Sequence, residues 1–90
     1  MDHYVYLSLE NIERIARHCP RALSTYIICT TRANEGKVEF SKEEIINDLS
    51  ETWCRFRNNL KSLALENILS WKIKGEDVYV TLHQDSNYSE

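Results

Sequence analysis

The chain has 90 residues, 42% of them hydrophobic and 28% charged, with two glycines, one proline and a net charge of −3. That length suits one domain and not two, and so little glycine and proline excludes a disordered or linker-rich chain. Its longest apolar runs are three or four residues, which excludes a bilayer-spanning segment.

His3-Tyr4-Val5-Tyr6-Leu7 alternates through aromatic and β-branched residues, so residues 1–7 read as an N-terminal strand or arm. Ser8 is placed to cap a first helix on which Leu9, Ile12, Ile15, Ala16 and Cys19 recur at helical spacing. Pro20 ends that helix and suits the first turn of the next. The second helix runs to about Asn34, with Leu23, Tyr26, Ile27 and Ala33 expected on its buried side. Ile28 and Cys29 widen that apolar face, as in a central helix contacted on several sides. Asn34-Glu35-Gly36 is a stop signal, since Asn and Gly tolerate the left-handed conformation that closes a helix.

Val38 and Phe40 alternate with Lys37 and Glu39 in a short strand. Ser41 with Glu44 three residues on forms a capping box, opening a third helix that should bury Ile45, Ile46 and Leu49. After a turn near Ser50-Glu51-Thr52, either Ser50 or Thr52 can cap a fourth helix, about residues 52–66. Phe56, Leu60 and Leu63 form its apolar stripe, and Asn67 stands where it must stop. Residues 68–73 and 77–82 then read as two strands joined by a turn at Lys74-Gly75-Glu76, a β-hairpin. The polar residues 83–90 are expected to be a flexible tail. The expected core comprises Ile12, Leu23, Ile27, Ile45, Leu49, Phe56, Leu60, Leu63, Ile68 and Val80.

Charge is unevenly spread. Residues 1–51 sum to −3, residues 52–74 to +4 and residues 75–90 to −4. The basic block consists of Arg55, Arg57, Lys61, Lys72 and Lys74 against Glu66 alone, and falls on the fourth helix and the hairpin. A local basic face, more than a basic pI, is the electrostatic footprint of a nucleic-acid binder.

Helix, helix, strand, helix, turn, helix, hairpin is also the order of a winged helix-turn-helix. Ile45, Ile46, Leu49, Ser50, Phe56, Leu60, Leu63 and Asn67-Ile68-Leu69 fill that family's apolar and turn positions without insertion. Pro20-Arg21-Ala22-Leu23 and Gly36-Lys37-Val38-Glu39-Phe40-Ser41 further resemble the winged-helix domains of plasmid and phage replication initiators and their regulators. The resemblance covers about residues 20–82. Glu51 departs from it, standing where the family often has an apolar residue. Glu76 and Asp77 depart from it at the hairpin tip, where a phosphate-binding wing is usually basic.

The resemblance implies a single α+β domain of three to four helices with a C-terminal hairpin wing. It implies sequence-specific binding of double-stranded DNA, as a regulator of transcription or replication. A helix in the major groove needs one face pinned to a core and the other free. On that reading Arg55, Asn58, Asn59 and Ser62 lie on or beside the free side, with Arg55 and Asn58 reading base edges. Arg57 and Lys61 flank it, Thr52 opens the helix, and Lys72 and Lys74 reach phosphates from the wing. A homodimer through the N-terminal segment and the first two helices is a further expected partner.

Other chemistries find little support. His18 and Cys19 are adjacent, so on a helix they point about 100° apart and cannot form a nucleophile–base pair. His3, His18 and His83 show no ligand spacing with Cys19, Cys29 and Cys54, and no glycine loop could cradle a phosphate. No enzyme, metal or cofactor is expected. Three cysteines without C-x-x-C spacing, and an N-terminus without a basic start and apolar run, point to a reducing, cytoplasmic setting without a membrane partner. The competing readings are a winged-helix protein-interaction module and an acidic, DNA-mimicking or host-factor-binding protein.

Overall fold

The structure is a computed structural model that describes residues 7–83. Nearly all of the expected arm and tail therefore lies outside the described residues. Helix α1 spans Leu9–His18, a 3₁₀ turn covers Pro20–Ala22, and α2 spans Leu23–Arg32. Strand β1 (Lys37–Ser41) leads into α3 (Lys42–Asn47), then α4 (Trp53–Leu65), β2 (Leu69–Lys74) and β3 (Asp77–Leu82). The fold is α+β, with four α-helices and one antiparallel sheet of order β1-β3-β2 among the described residues. None of the described helices is long and apolar enough to cross a membrane.

Local signals account for most boundaries. Ser8 caps α1 by accepting from the Asn11 amide, and Thr52 caps α4 by accepting from the Arg55 amide. Ser41 and Glu44 close the full capping box of α3. At the end of α4, Asn67 is left-handed (φ 63). The Asn67 amide donates to Ala64 O and the Ile68 amide to Leu63 O, the paired bonds of a Schellman motif. Glu35 and Gly36 both have positive φ, forming a tight I′-type reversal between Asn34 and Lys37. Gly75 alone is left-handed in the β2–β3 loop, as a II′ turn requires of its first central residue.

The core joins the inner face of the sheet to one face of each helix. Ile15, Tyr26, Cys29, Phe40, Ile45, Phe56, Leu60, Leu63, Ile68, Leu69, Val78 and Val80 are all buried. Phe40 from β1 meets Phe56 from α4 edge to face, ring centres 5.3 Å apart. Six of the ten expected core residues, Ile45, Phe56, Leu60, Leu63, Ile68 and Val80, are fully buried, and Ile12, Leu23 and Leu49 are partly so.

Two expectations of burial fail. Ile27 is 39% exposed and Ile46 is 45% exposed. The inner face of α2 is set by Ala22, Thr25, Tyr26 and Cys29, a helical series that turns Ile27 outward. Tyr26 decides this rotation, because its hydroxyl reaches α1 and accepts from the Ser8 amide at 3.3 Å and from Asn11 Nδ2 at 3.5 Å. On α3, a helix of only six residues, Ile45 fills the one position directed into the core. The left-handed Ser50 (φ 53) then turns the chain toward α4.

A third correction concerns His83. It is no part of a frayed tail: its amide donates to Ile68 O at 2.9 Å, and its ring lies 2.6 Å from Ser70 Oγ and 3.0 Å from Asn67 O. These bonds close the open end of the hairpin against the end of α4.

Candidate nucleic-acid interface

Helix α4 is held on two sides. Its inner stripe, Phe56, Leu60 and Leu63, is at most 1% exposed. Its last turn is tied to α1, where Arg14 NH1 donates to the Glu66 carbonyl at 2.6 Å and His18 Nδ1 lies 3.2 Å from Glu66 Oε1. An arginine on a terminal carbonyl satisfies one of the acceptors that every helix end leaves without a partner.

Cys54, Asn58, Lys61 and Leu65 follow one another at helical spacing and are all exposed, forming the stripe directly opposite the core stripe. Arg57 flanks it on one side, with Arg55 and the half-buried Ser62 on the other. Lys61 is thus central where a flanking position was expected, and Arg55 is lateral where a central one was expected. Among the described residues the ion pairs are Arg14–Glu10, His18–Glu66 and Arg32–Glu44. None uses Arg55, Arg57 or Lys61, so this face keeps three exposed cations that form no ion pair among the described residues.

Asn59 does not belong to that face. It is 8% exposed, and its Nδ2 donates to Thr25 Oγ1 of α2 at 3.0 Å. Thr25 is 2% exposed, so this is a buried polar tie between two helices. At 100° per residue Asn59 falls about 40° beyond Leu63 and about 60° from Phe56, at the edge of the inward side. The Asn58-Asn59 pair thus holds one outward and one inward amide, and the inward one finds its partner 34 residues away on α2.

Lys72 and Lys74 are not brought together with the α4 cations. Register places Lys72 opposite Tyr79 and Lys74 opposite Asp77, on the sheet face turned away from the buried Val78 and Val80. There they share a shallow recess with Lys37, Glu39 and Tyr79. Glu39 and, less strongly, burial and Asp77 push the Tyr79 phenol above its ordinary pKa, so acids accompany these lysines. The hairpin also ends level with β1: Ser41 and Lys74 both pair with Asp77, and the Lys42 amide donates to Glu76 O at 2.8 Å. Its tip is bound to the start of α3. Trp53 and Trp71 are both half-buried, and Lys42 Nζ sits 5.4 Å above the Trp53 ring.

On the other flank of α4 an open groove of about 1020 Å³ separates it from the 3₁₀ turn and the start of α2. Thr52, Arg55, Asn58 and Ser62 line one wall, and Arg21 and Ser24 the other. Sequence reasoning did not reach Arg21, because only the packing of α2 on α4 brings the two walls together.

The cysteines are all free thiols, with Cys54 exposed, Cys19 half-buried and Cys29 buried. Burial pushes the Cys29 thiol up to about 12, and burial together with Glu66 raises Cys19. No cluster of three or more His, Cys, Asp or Glu side chains suited to a metal ion occurs among the described residues. Comparison with protein-family models, with curated proteins and with solved structures finds no match to this chain.

Proposed function

We propose that the chain is a winged helix-turn-helix domain that binds double-stranded DNA by presenting α4 to the major groove. The observation that carries this reading is the face of α4 opposite Phe56, Leu60 and Leu63, where Arg55, Arg57 and Lys61 stand exposed around Asn58 and form no ion pair among the described residues. A groove-reading helix needs this combination of a pinned back and a free, cationic front. The succession α3, turn, α4, hairpin and the sheet order β1-β3-β2 fit the winged-helix plan. Asn58, mid-stripe, can pair with an adenine edge, and Arg57 and Lys61 can neutralise phosphates. Lys72 and Lys74 take no part in this contact, since they project from the far face of the sheet.

A second reading, a protein-interaction module or self-association through α1 and α2, draws on exposed apolar side chains. Leu9 is 76% exposed and Leu65, at the end of the α4 stripe, is 82% exposed. The two readings separate in a mobility-shift assay on a random duplex at two salt concentrations. DNA binding predicts a salt-sensitive shift that is abolished by the double change Arg55→Glu with Arg57→Glu, in a variant whose circular dichroism matches the parent. An unshifted duplex at high parent concentration would favour the interaction module.

A further inference from the structure

We infer that one sugar-phosphate strand of the duplex lies in the groove between the 3₁₀ turn and α4, clamped by Arg21 and Arg55. This rests on the DNA-binding reading of α4 and replaces the hairpin with a different second contact. Arg21 and Arg55 stand on opposite walls of the groove, both exposed, and neither takes part in an ion pair or a side-chain hydrogen bond among the described residues. Between them Ser24 and Thr52 supply hydroxyls, and Thr52 already accepts from the Arg55 amide. A polyanion that places its bases against Asn58 must run its backbone along one flank of α4. The groove side offers two guanidiniums in one lining, and guanidiniums suit phosphate oxygens. Glu51 is the one carboxylate in the lining. The alternative second contact, the hairpin tip, carries Glu76 and Asp77 and is bound to α3.

The walls are held at fixed spacing. Asn59 and Thr25 join α4 to α2 directly beneath the groove, and Pro20 opens the 3₁₀ turn that presents Arg21. Arg21 is therefore carried on a braced backbone, and it is its exposed side chain that binding must order.

The test is the salt dependence of binding to one labelled random duplex by the parent and by Arg21→Ala, Arg21→Lys and Lys74→Ala. Each phosphate contact contributes about 0.9 to the slope of log K against log salt. Arg21→Ala should flatten the slope by about that amount. Its deficit relative to the parent should then be about 3.5-fold larger at 50 mM than at 200 mM salt. Arg21→Lys keeps the charge and should keep the slope, and Lys74→Ala should leave the slope unchanged. If Arg21→Ala keeps the parental slope, the clamp is wrong although the DNA reading stands, and a flattened slope for Lys74→Ala alone would move the strand to the hairpin. If the parent itself shows no salt-sensitive binding, the DNA reading fails and takes the clamp with it.

Discussion

Replacing Asn59 by alanine separates what supports α4 from what α4 presents. The substitution removes the donor that satisfies Thr25 Oγ1 at 3.0 Å, in a place where Thr25 is 2% and Asn59 8% exposed. Asn59 borders the groove and Thr25 lies behind it, so truncation leaves Thr25 Oγ1 without its donor and a small void at the groove floor. Loss of one partner of a buried polar pair costs about 1–3 kcal/mol, which for a domain of this size is roughly 5–20 °C in Tm. Thermal melts of the parent, Asn59→Ala, Thr25→Val and the double variant complete the cycle. Contacting pairs show a coupling energy of about 0.5–3 kcal/mol, so the double variant should be less destabilised than the two singles added. Well below its melting temperature, Asn59→Ala should keep the parental salt slope for DNA. An unchanged Tm would refute the buried tie, and a melt-neutral variant with a flattened slope would return Asn59 to the exposed face.

Three further outcomes follow from the same packing. Leu60→Ala, at a fully buried position on α4, should cost about 2–5 kcal/mol and leave the domain largely unfolded in a chemical denaturation curve. The Cys29 thiol is raised from 9.0 to about 12 by burial, so its contribution to stability is fully present below pH 9 and is lost as pH rises toward 12. Urea midpoints of the parent should therefore fall across that window more steeply than those of Cys29→Ala, and parallel declines would contradict the assignment. Glu51→Gln removes the one carboxylate in the α4 groove lining and should tighten duplex binding by about two- to fivefold at 50 mM salt, measured by fluorescence anisotropy. Weaker binding would mean that Glu51 supports the turn more than it repels the strand.

The element boundaries were legible because each rests on chemistry local to a few residues. Ser8, the Ser41–Glu44 box, Thr52, Asn67 and Gly75 all act where spacing places them. The stripe of Phe56, Leu60 and Leu63 was equally plain, since polar residues surround it. The facing of α2 was not, because Leu23, Tyr26, Ile27, Ile28 and Cys29 surround the helix with apolar side chains. No period could choose among them, and the choice fell to the reach of the Tyr26 hydroxyl toward α1. The inward tilt of Asn59 was available from its spacing to Leu63, but its partner Thr25 and the wall facing Arg21 lie on other helices, brought near only by the fold. The basic block of residues 52–74 is one patch along the chain but two in space, because Lys72 and Lys74 fall on the outer face of the sheet.

On the proposed reading the exposed face of α4, with Arg21 across the groove, neutralises the phosphates of a DNA duplex. Its most direct test is the slope of log K against log salt for the unaltered protein on a random duplex between 50 and 200 mM. If Arg21, Arg55, Arg57 and Lys61 all neutralise phosphates, the slope should be about −3.6. A slope near zero, or no measurable association at the lower salt, would contradict the account.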